Sequence, residues 1–370
     1  MAKNMMKKEI SHCSNRRSMK TRPIVQIQKL ILTLFCVIVC CNGYGQDVHF
    51  SQFNQVPQLI NPSLTGAFQG DFRGIMNYRD QWSSIAPYKT YSLAIDGGLL
   101  KKKLTGKYLG AGLFIYQDIA GDSRLSTTQI KLSLSSIIAV NKSHNISAGI
   151  QGGFSQRKMD DAGLRWGAQY DDNGYAAGIA AGEADAFENY SYGDFSLGLS
   201  WNYGKGSTNI SSNDHLSANA GIAMYHLNKP EQGPVLHKLK PEFVAHAELM
   251  LGLKGSQITL VPSALYLQQG VLNEINIGGM VRHTIKEESK YTGFIKETAL
   301  LLGGYYRVGD AFIPTCMLEV ANFALGISYD VNISSLAEAS NGAGGLEISF
   351  RYVTPNPFRY GKSGKHTPLL

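Results

Sequence analysis

Past residue 41 the chain holds a single cysteine, Cys316; Cys13, Cys36, Cys40 and Cys41 all lie at or before that point. One thiol makes no internal disulfide, so the fold must be stable without covalent cross-links. Beyond Gln46 there is no apolar run of the roughly 18–20 residues that a membrane-crossing helix needs, which excludes one. A sustained 3.6-residue period is missing as well, and with it a large helical domain. Charge is scarce, at 17% of the chain. Even the basic excess is local: eight of the 35 basic residues and one of the 28 acidic ones lie in residues 1–45, leaving 27 of each beyond. A neutral remainder gives no electrostatic reason to expect a nucleic-acid partner.

The leader has its own logic. Lys20, Arg22 and Lys29 precede the apolar run Leu30–Cys41, and Gly43 and Gly45 stand at −3 and −1 of a cut before Gln46. That order predicts a cleaved secretory signal peptide over residues 1–45, translated from Met1 or from Met19. A lipoprotein leader is the competing reading because Cys40 and Cys41 end the run, but Val39 and Cys40 precede them where small residues are required.

What remains is alternation at period two. Phe72, Gly74, Met76 and Tyr78 alternate with Arg73, Ile75, Asn77 and Arg79; Ile130, Leu132 and Leu134 with Gln129, Lys131, Ser133 and Ser135; Phe195, Leu197, Leu199 and Trp201 with Asp194, Ser196, Gly198 and Ser200. Successive strand side chains point to opposite faces, so each segment has one apolar face and one polar or small one. The pattern predicts about 14 strands of about 10 residues, the length of a tilted membrane-spanning strand. A soluble sandwich would carry many charges on its solvent face, whereas here that face is Ser, Gly, Thr, Asn and Gln. The 19 tyrosines cluster near strand ends, as interfacial girdles do. The expected fold is therefore an all-β, transmembrane antiparallel barrel in the outer membrane over residues 71–353, with a basic tail over 354–370. Short turns such as 140–145 and the long insertion 156–189 are expected to sort to the two sides of the membrane.

FSQ at Phe50–Gln52, NPSLTG at Asn61–Gly66, YRDQW at Tyr78–Trp82 with Asp96 after it, MYHLNKP at Met224–Pro230, VPSALYLQQG at Val261–Gly270, YYRVGDAFIP at Tyr305–Pro314 and LGISYDVNISSL at Leu325–Leu336, followed by GGLEISFRY, run in order along the chain. This set resembles the PorP/SprF family of outer-membrane proteins of the Bacteroidetes type IX secretion system. The resemblance implies a barrel that works with periplasmic or lipoprotein components of that system and serves secreted cargo carrying a type IX C-terminal signal, such as large adhesins of gliding motility. The residues that carry it are Phe50, Gln52, Asn61, Pro62, Tyr78, Arg79, Trp82, Asp96, His226, Pro230, Arg307, Asp310, Tyr329, Asp330 and Asn332.

Residues 46–70 fit no strand, because Pro57 and Pro62 offer no ladder donor. They are expected as an extended, polar segment with fixed turns at Pro57 and Pro62, inside the lumen or across the periplasmic mouth, a possible plug, with Asn61 and Ser63 bonded to inward polar residues; a disordered lead-in is the alternative. Arg73, Arg79, Asp96, Glu242, Arg282, Arg307 and Asp310 are expected to face inward as a charge ladder, since charge facing lipid at mid-depth costs about 2–4 kcal/mol. Enzyme and cofactor chemistry find no support: the GKS at Gly361–Ser363 lacks the phosphate-loop glycine, GLSWN at Gly198–Asn202 fails the nucleophile-elbow pattern, and His226, His237, His246 and His283 show no metal-ligand spacing. Two functions stay open, a type IX secretion component and a small-solute porin, separable by conductance of the purified protein.

Overall fold

The structure, a computed structural model, describes residues 47–354 apart from short stretches of the connections at 84–85, 102–105, 122, 160–163, 172–173, 177, 180–188, 206–212, 232–237 and 287–296. The leader over 1–45, the GKS motif and all of the expected tail except Thr354 fall outside the described residues.

Fourteen strands form one closed barrel in which each pairs antiparallel with the next and the last returns to the first. They are β1 (Phe72–Gln81), β2 (Tyr88–Leu99), β3 (Lys107–Ala120), β4 (Leu125–Ala139), β5 (His144–Lys158), β6 (Tyr190–Lys205), β7 (Leu216–Tyr225), β8 (Glu242–Gly252), β9 (Ile258–Gln269), β10 (Leu272–Lys286), β11 (Thr298–Arg307), β12 (Ala311–Val320), β13 (Phe323–Asn332) and β14 (Ala343–Thr354). The seam is complete: β1 and β14 pair from Phe72 opposite Thr354 to Gln81 opposite Gly345. Closure leaves no strand edge, which the absence of water in a hydrocarbon layer requires.

The alternation fixes which face turns where. Leu132 and Leu134 on β4, Ile150 on β5, and Phe195, Leu197 and Leu199 on β6 are exposed around the outside, while Gln129, Lys131, Ser133, Ser147, Gln151, Asp194 and Ser196 are buried within. Aromatics collect at both rims, as in the Trp82–Tyr88 pair with centroids 5.4 Å apart and, at the other end, Phe323–Tyr352 at 5.0 Å. The expected tyrosine girdle is only partly there. Tyr116, Tyr192 and Tyr225 are buried on the lumen face. Tyr108 turns the same way, and its hydroxyl donates to the Gly66 carbonyl at 3.2 Å.

Odd-numbered strands run towards one mouth and even-numbered ones back. The mouth reached by odd strands carries the 159–189 connection but also the two-residue turn 270–271; the opposite mouth, where β1 starts and β14 ends, carries 140–143 but also 206–215 and 287–297. Connection length therefore does not sort between the two sides as expected. In the long insertion, Tyr170–Asp171 and Gly174–Tyr175 form a two-stranded ribbon, and a short helix, Leu336–Ser340, lies between β13 and β14.

Candidate functional site

Residues 47–70 run lengthwise through the lumen. Asp47 lies at the mouth that carries the 159–189 connection, its backbone N–H bonded to Gln269 at the end of β9. At the other end Asp71 donates to the Thr354 carbonyl and β1 begins. The expected extended conformation is not what forms. Three single turns follow one another, Phe53–Gln55, Pro57–Ile60 and Pro62–Leu64, and each proline opens its turn. Proline's fixed φ and missing N–H suit the first position of a helical turn, where that N–H has no partner anyway. Turns are thus present at both prolines, as expected, but as helical turns in a nearly continuous series.

One side of the segment is apolar. Phe50, Phe53, Val56 and Ile60 are buried against Tyr225, Val244, Val261, Leu265, Met280, Leu301, Tyr305, Ile313 and Met317, which come from β7 to β12. Each side chain so buried contributes about 1.5–3 kcal/mol. The lumen wall is thus not uniformly polar; along these six of the fourteen strands it is a hydrophobic core completed by the segment.

The other side is held by polar contacts. Asn61 receives the Ser63 N–H on Oδ1 at 2.9 Å, which caps the Pro62–Leu64 turn, and its Nδ2 donates to the Leu199 and Ile222 carbonyls at 3.0 and 3.1 Å and lies 3.1 Å from His246 Nε2. Ser63, expected to bond to the wall, bonds back to Asn61 instead, at 2.7 Å. The turn can come this close only because the wall is bare there. A Cβ at Gly149 would lie 2.5 Å from Pro62 C and Ser63 N, and one at Gly198 would lie 1.9 Å from Asn61 Oδ1. Gly149 and Gly198 face each other across β5 and β6, so the sheet offers a trough for the NPS turn. Gly149→Ala is expected to destabilise the protein by about 1–3 kcal/mol, since the contact is backbone and cannot swing aside; urea midpoints in vesicles measure it.

At the first mouth the segment meets a buried charge network. The Ser51 and Gln52 N–H groups donate to the two Glu347 carboxylate oxygens at 2.7 and 2.9 Å, and the Ser51 hydroxyl donates to Asp330 at 2.6 Å. Asp330 is shared by Arg79 at 2.9 Å and Arg307 at 3.1 Å. Arg79 also donates to the His49 carbonyl, and Arg307 reaches Glu274 at 3.5 Å and Asp310 at 3.0 Å. Arg79, Asp330 and Glu347 are all at most 2% exposed, so each charge depends on its partners. Towards the second mouth, Arg73 grips Asp96 with two hydrogen bonds while Asp96 accepts the Gly66 N–H at 2.7 Å.

A third cluster surrounds His226, just beyond β7. Its Nδ1 lies 3.0 Å from Asp194 and its Nε2 touches Asp47, and Lys131 stands 3.4 Å from Asp194. Burial disfavours a charged imidazole, but the two carboxylates outweigh it and push its pKa up to about 10. The resulting stability is present in full below the ordinary histidine pKa of 6.5 and is lost as pH rises through about 10. With a chelator present, protection of residues 47–52 from protease is therefore expected to fall between pH 8 and pH 11 and to stay flat between pH 5 and pH 7.

Of the residues singled out in the sequence, Phe50, Gln52, Asn61, Pro62, Arg79, Asp96, His226, Arg307 and Asp330 meet in the lumen. Asn332 is buried beside it, donating to Ser340 and the Ala343 carbonyl, and Asp310 sits half-exposed at the rim. Tyr78, tilted against Tyr91 with centroids 5.1 Å apart, and the exposed Tyr329 belong to the outer face, Trp82 lies just beyond β1 against Tyr88, and Pro230 lies in the β7–β8 connection. Glu347, Asp194, Lys131, Glu274, Gly149 and Gly198 were not singled out. An isolated charged residue at an inward position, as Glu347 is in GLEISF, is the signal that could have found the first four.

A family model described as type IX secretion system membrane protein PorP/SprF matches residues 42–352. No curated protein matches. Among solved structures, the chain is similar to BamA from Haemophilus ducreyi lacking POTRA domains 1–3 (10% identity, TM-score 0.41, covering 77% of this chain and 70% of that one). It is also similar to the translocator domain of the autotransporter NalP from Neisseria meningitidis (10%, 0.38, 76% and 88%) and to the Ralstonia pickettii toluene transporter TbuX (10%, 0.42, 84% and 96%).

Proposed function

Because the chain belongs to the PorP/SprF family of type IX secretion system membrane proteins, we propose that it helps one or a few secreted proteins reach or stay on the cell surface. The cargo would be proteins with a type IX C-terminal signal, a large adhesin among them, and the partners periplasmic or lipoprotein components of the same system. The observation that carries this reading is the span of the family match, which takes in both the lumen segment and the barrel. The protein is an outer-membrane β-barrel associated with type IX secretion, and its proposed contribution to that system is binding.

The occupied lumen favours this over a porin. A solute channel of this size needs water-filled space along its axis, whereas Phe53, Val56, Gln58 and Asn61 sit buried between opposite walls. Deleting the gene is expected to remove at least one protein from the cell surface while solute uptake stays unchanged. Altered uptake of small solutes with an intact surface proteome would favour the porin instead.

A further inference from the structure

We propose that Asp47, His226 and Glu242 form a binding site for a divalent transition metal of the zinc type, which ties the start of the lumen segment to the barrel wall. The three residues come from three places: Asp47 from the segment, His226 from the residue after β7, and Glu242 from the first residue of β8. One ligand atom from each lies within 4.8 Å of the other two. A four-coordinate ion with bonds of about 2.0–2.2 Å sets its ligand atoms about 3.4 Å apart, so side-chain adjustments suffice and no strand has to move.

The imidazole is already aimed. Asp194 holds Nδ1 at 3.0 Å, which leaves Nε2 as the nitrogen facing Asp47. A carboxylate on the far nitrogen of a ligating histidine is the arrangement that fixes the ring and raises its basicity at metal centres. His226 is fully buried and Asp194 nearly so, and that makes the orientation part of the folded wall.

Charge points the same way. With His226 neutral, as a ligand must be, the cluster holds the carboxylates of Asp47, Asp194 and Glu242 against the single ammonium of Lys131, which lies 3.4 Å from Asp194. Glu274, the next carboxylate round the wall, belongs to the neighbouring network, with Arg307 at 3.5 Å. Without metal, protonated His226 and Lys131 offset Asp47 and Asp194; a divalent cation replaces the charge that His226 gives up and takes the Glu242 carboxylate as a further ligand. A nitrogen beside two carboxylates selects zinc-like ions over calcium or magnesium, which take oxygen. Coordination replaces the contact between Nε2 and Asp47 by bonds from Nε2 and the carboxylate oxygens to the ion. The Nε2 proton leaves to solvent, so binding tightens as pH rises.

The test uses the full chain, folded in detergent and freed of metal with a chelator, titrated with Zn2+ by calorimetry and with Co2+ by visible absorption. One equivalent of Zn2+ is expected to bind with a Kd of about 10 µM or tighter at pH 7.5. Glu242→Gln and Asp47→Asn should each weaken it by at least about tenfold, and both leave the His226–Asp194 contact in place. Glu231→Gln, in the exposed Glu231–Lys238 pair, is the control and should bind as the parent does. Heat-modifiable gel mobility confirms that each variant folds. If the parent binds no Zn2+ in that range, or if Glu242→Gln and Asp47→Asn both bind as tightly as the parent, the site does not exist.

Discussion

Arg79→Ala is expected to lower the stability of the folded barrel by about 3–5 kcal/mol, the range for removing one partner of a buried ion pair. The argument rests on what is left behind. Asp330 keeps Arg307 and the Ser51 hydroxyl, but Glu347, 3.9 Å from Arg79, keeps only the two backbone donors of the segment, and both carboxylates stay away from water. The His49 carbonyl loses its donor too. Equilibrium urea unfolding from lipid vesicles measures the effect. Lys238→Ala, which breaks an exposed pair with Glu231 at 3.2 Å, should change stability by less than about 0.5 kcal/mol. A loss under 1 kcal/mol for Arg79→Ala would mean that water reaches the network and that the segment is not seated as described.

The second large effect concerns permeation. A chain lacking residues 48–66 loses the apolar wedge of Phe50, Phe53, Val56 and Ile60 and the Asn61 cap together, while β1 to β14 keep every strand-to-strand pair. In planar bilayers the parent is expected to conduct weakly and the deletion variant at least about tenfold more, because barrels only slightly larger leave an aqueous channel when nothing fills them. Equal, porin-like conductance of both would remove the lumen segment from the account and revive the porin reading.

The barrel was legible in the sequence because its signal is local. Phe195, Leu197 and Leu199 against Asp194, Ser196 and Ser200 state their two faces within one strand, and repetition over the chain gives the strand number. The lumen was much less legible, because its contacts are not local. That Gly149 and Gly198 together make a trough follows only from the register that sets them opposite each other, and alone each looks like another small inward residue. The grouping of Asp47, Asp194, His226 and Glu242 is likewise a property of the ring, since no spacing along the chain links them. Period-two reading also misjudged the wall of β7 to β12, where Val244, Val261, Leu265 and Ile313 point inward. Apolar residues were assigned to lipid there because the segment expected inside the barrel was read as polar, whereas Phe50, Phe53, Val56 and Ile60 give it an apolar side.

The bond from the Ser51 amide to Glu347 spans 296 residues, and this sets the order in which the molecule is made. Until β14 is in place the Ser51 and Gln52 amides lack the Glu347 carboxylate that receives them, and β1 lacks the strand that closes the ring. Contacts of such separation form slowly, because a long loop must close before any of them is rewarded. The anchor of the lumen segment on Glu347 and the last seam of the barrel therefore depend on the same strand, and the interior is complete only when the ring is shut.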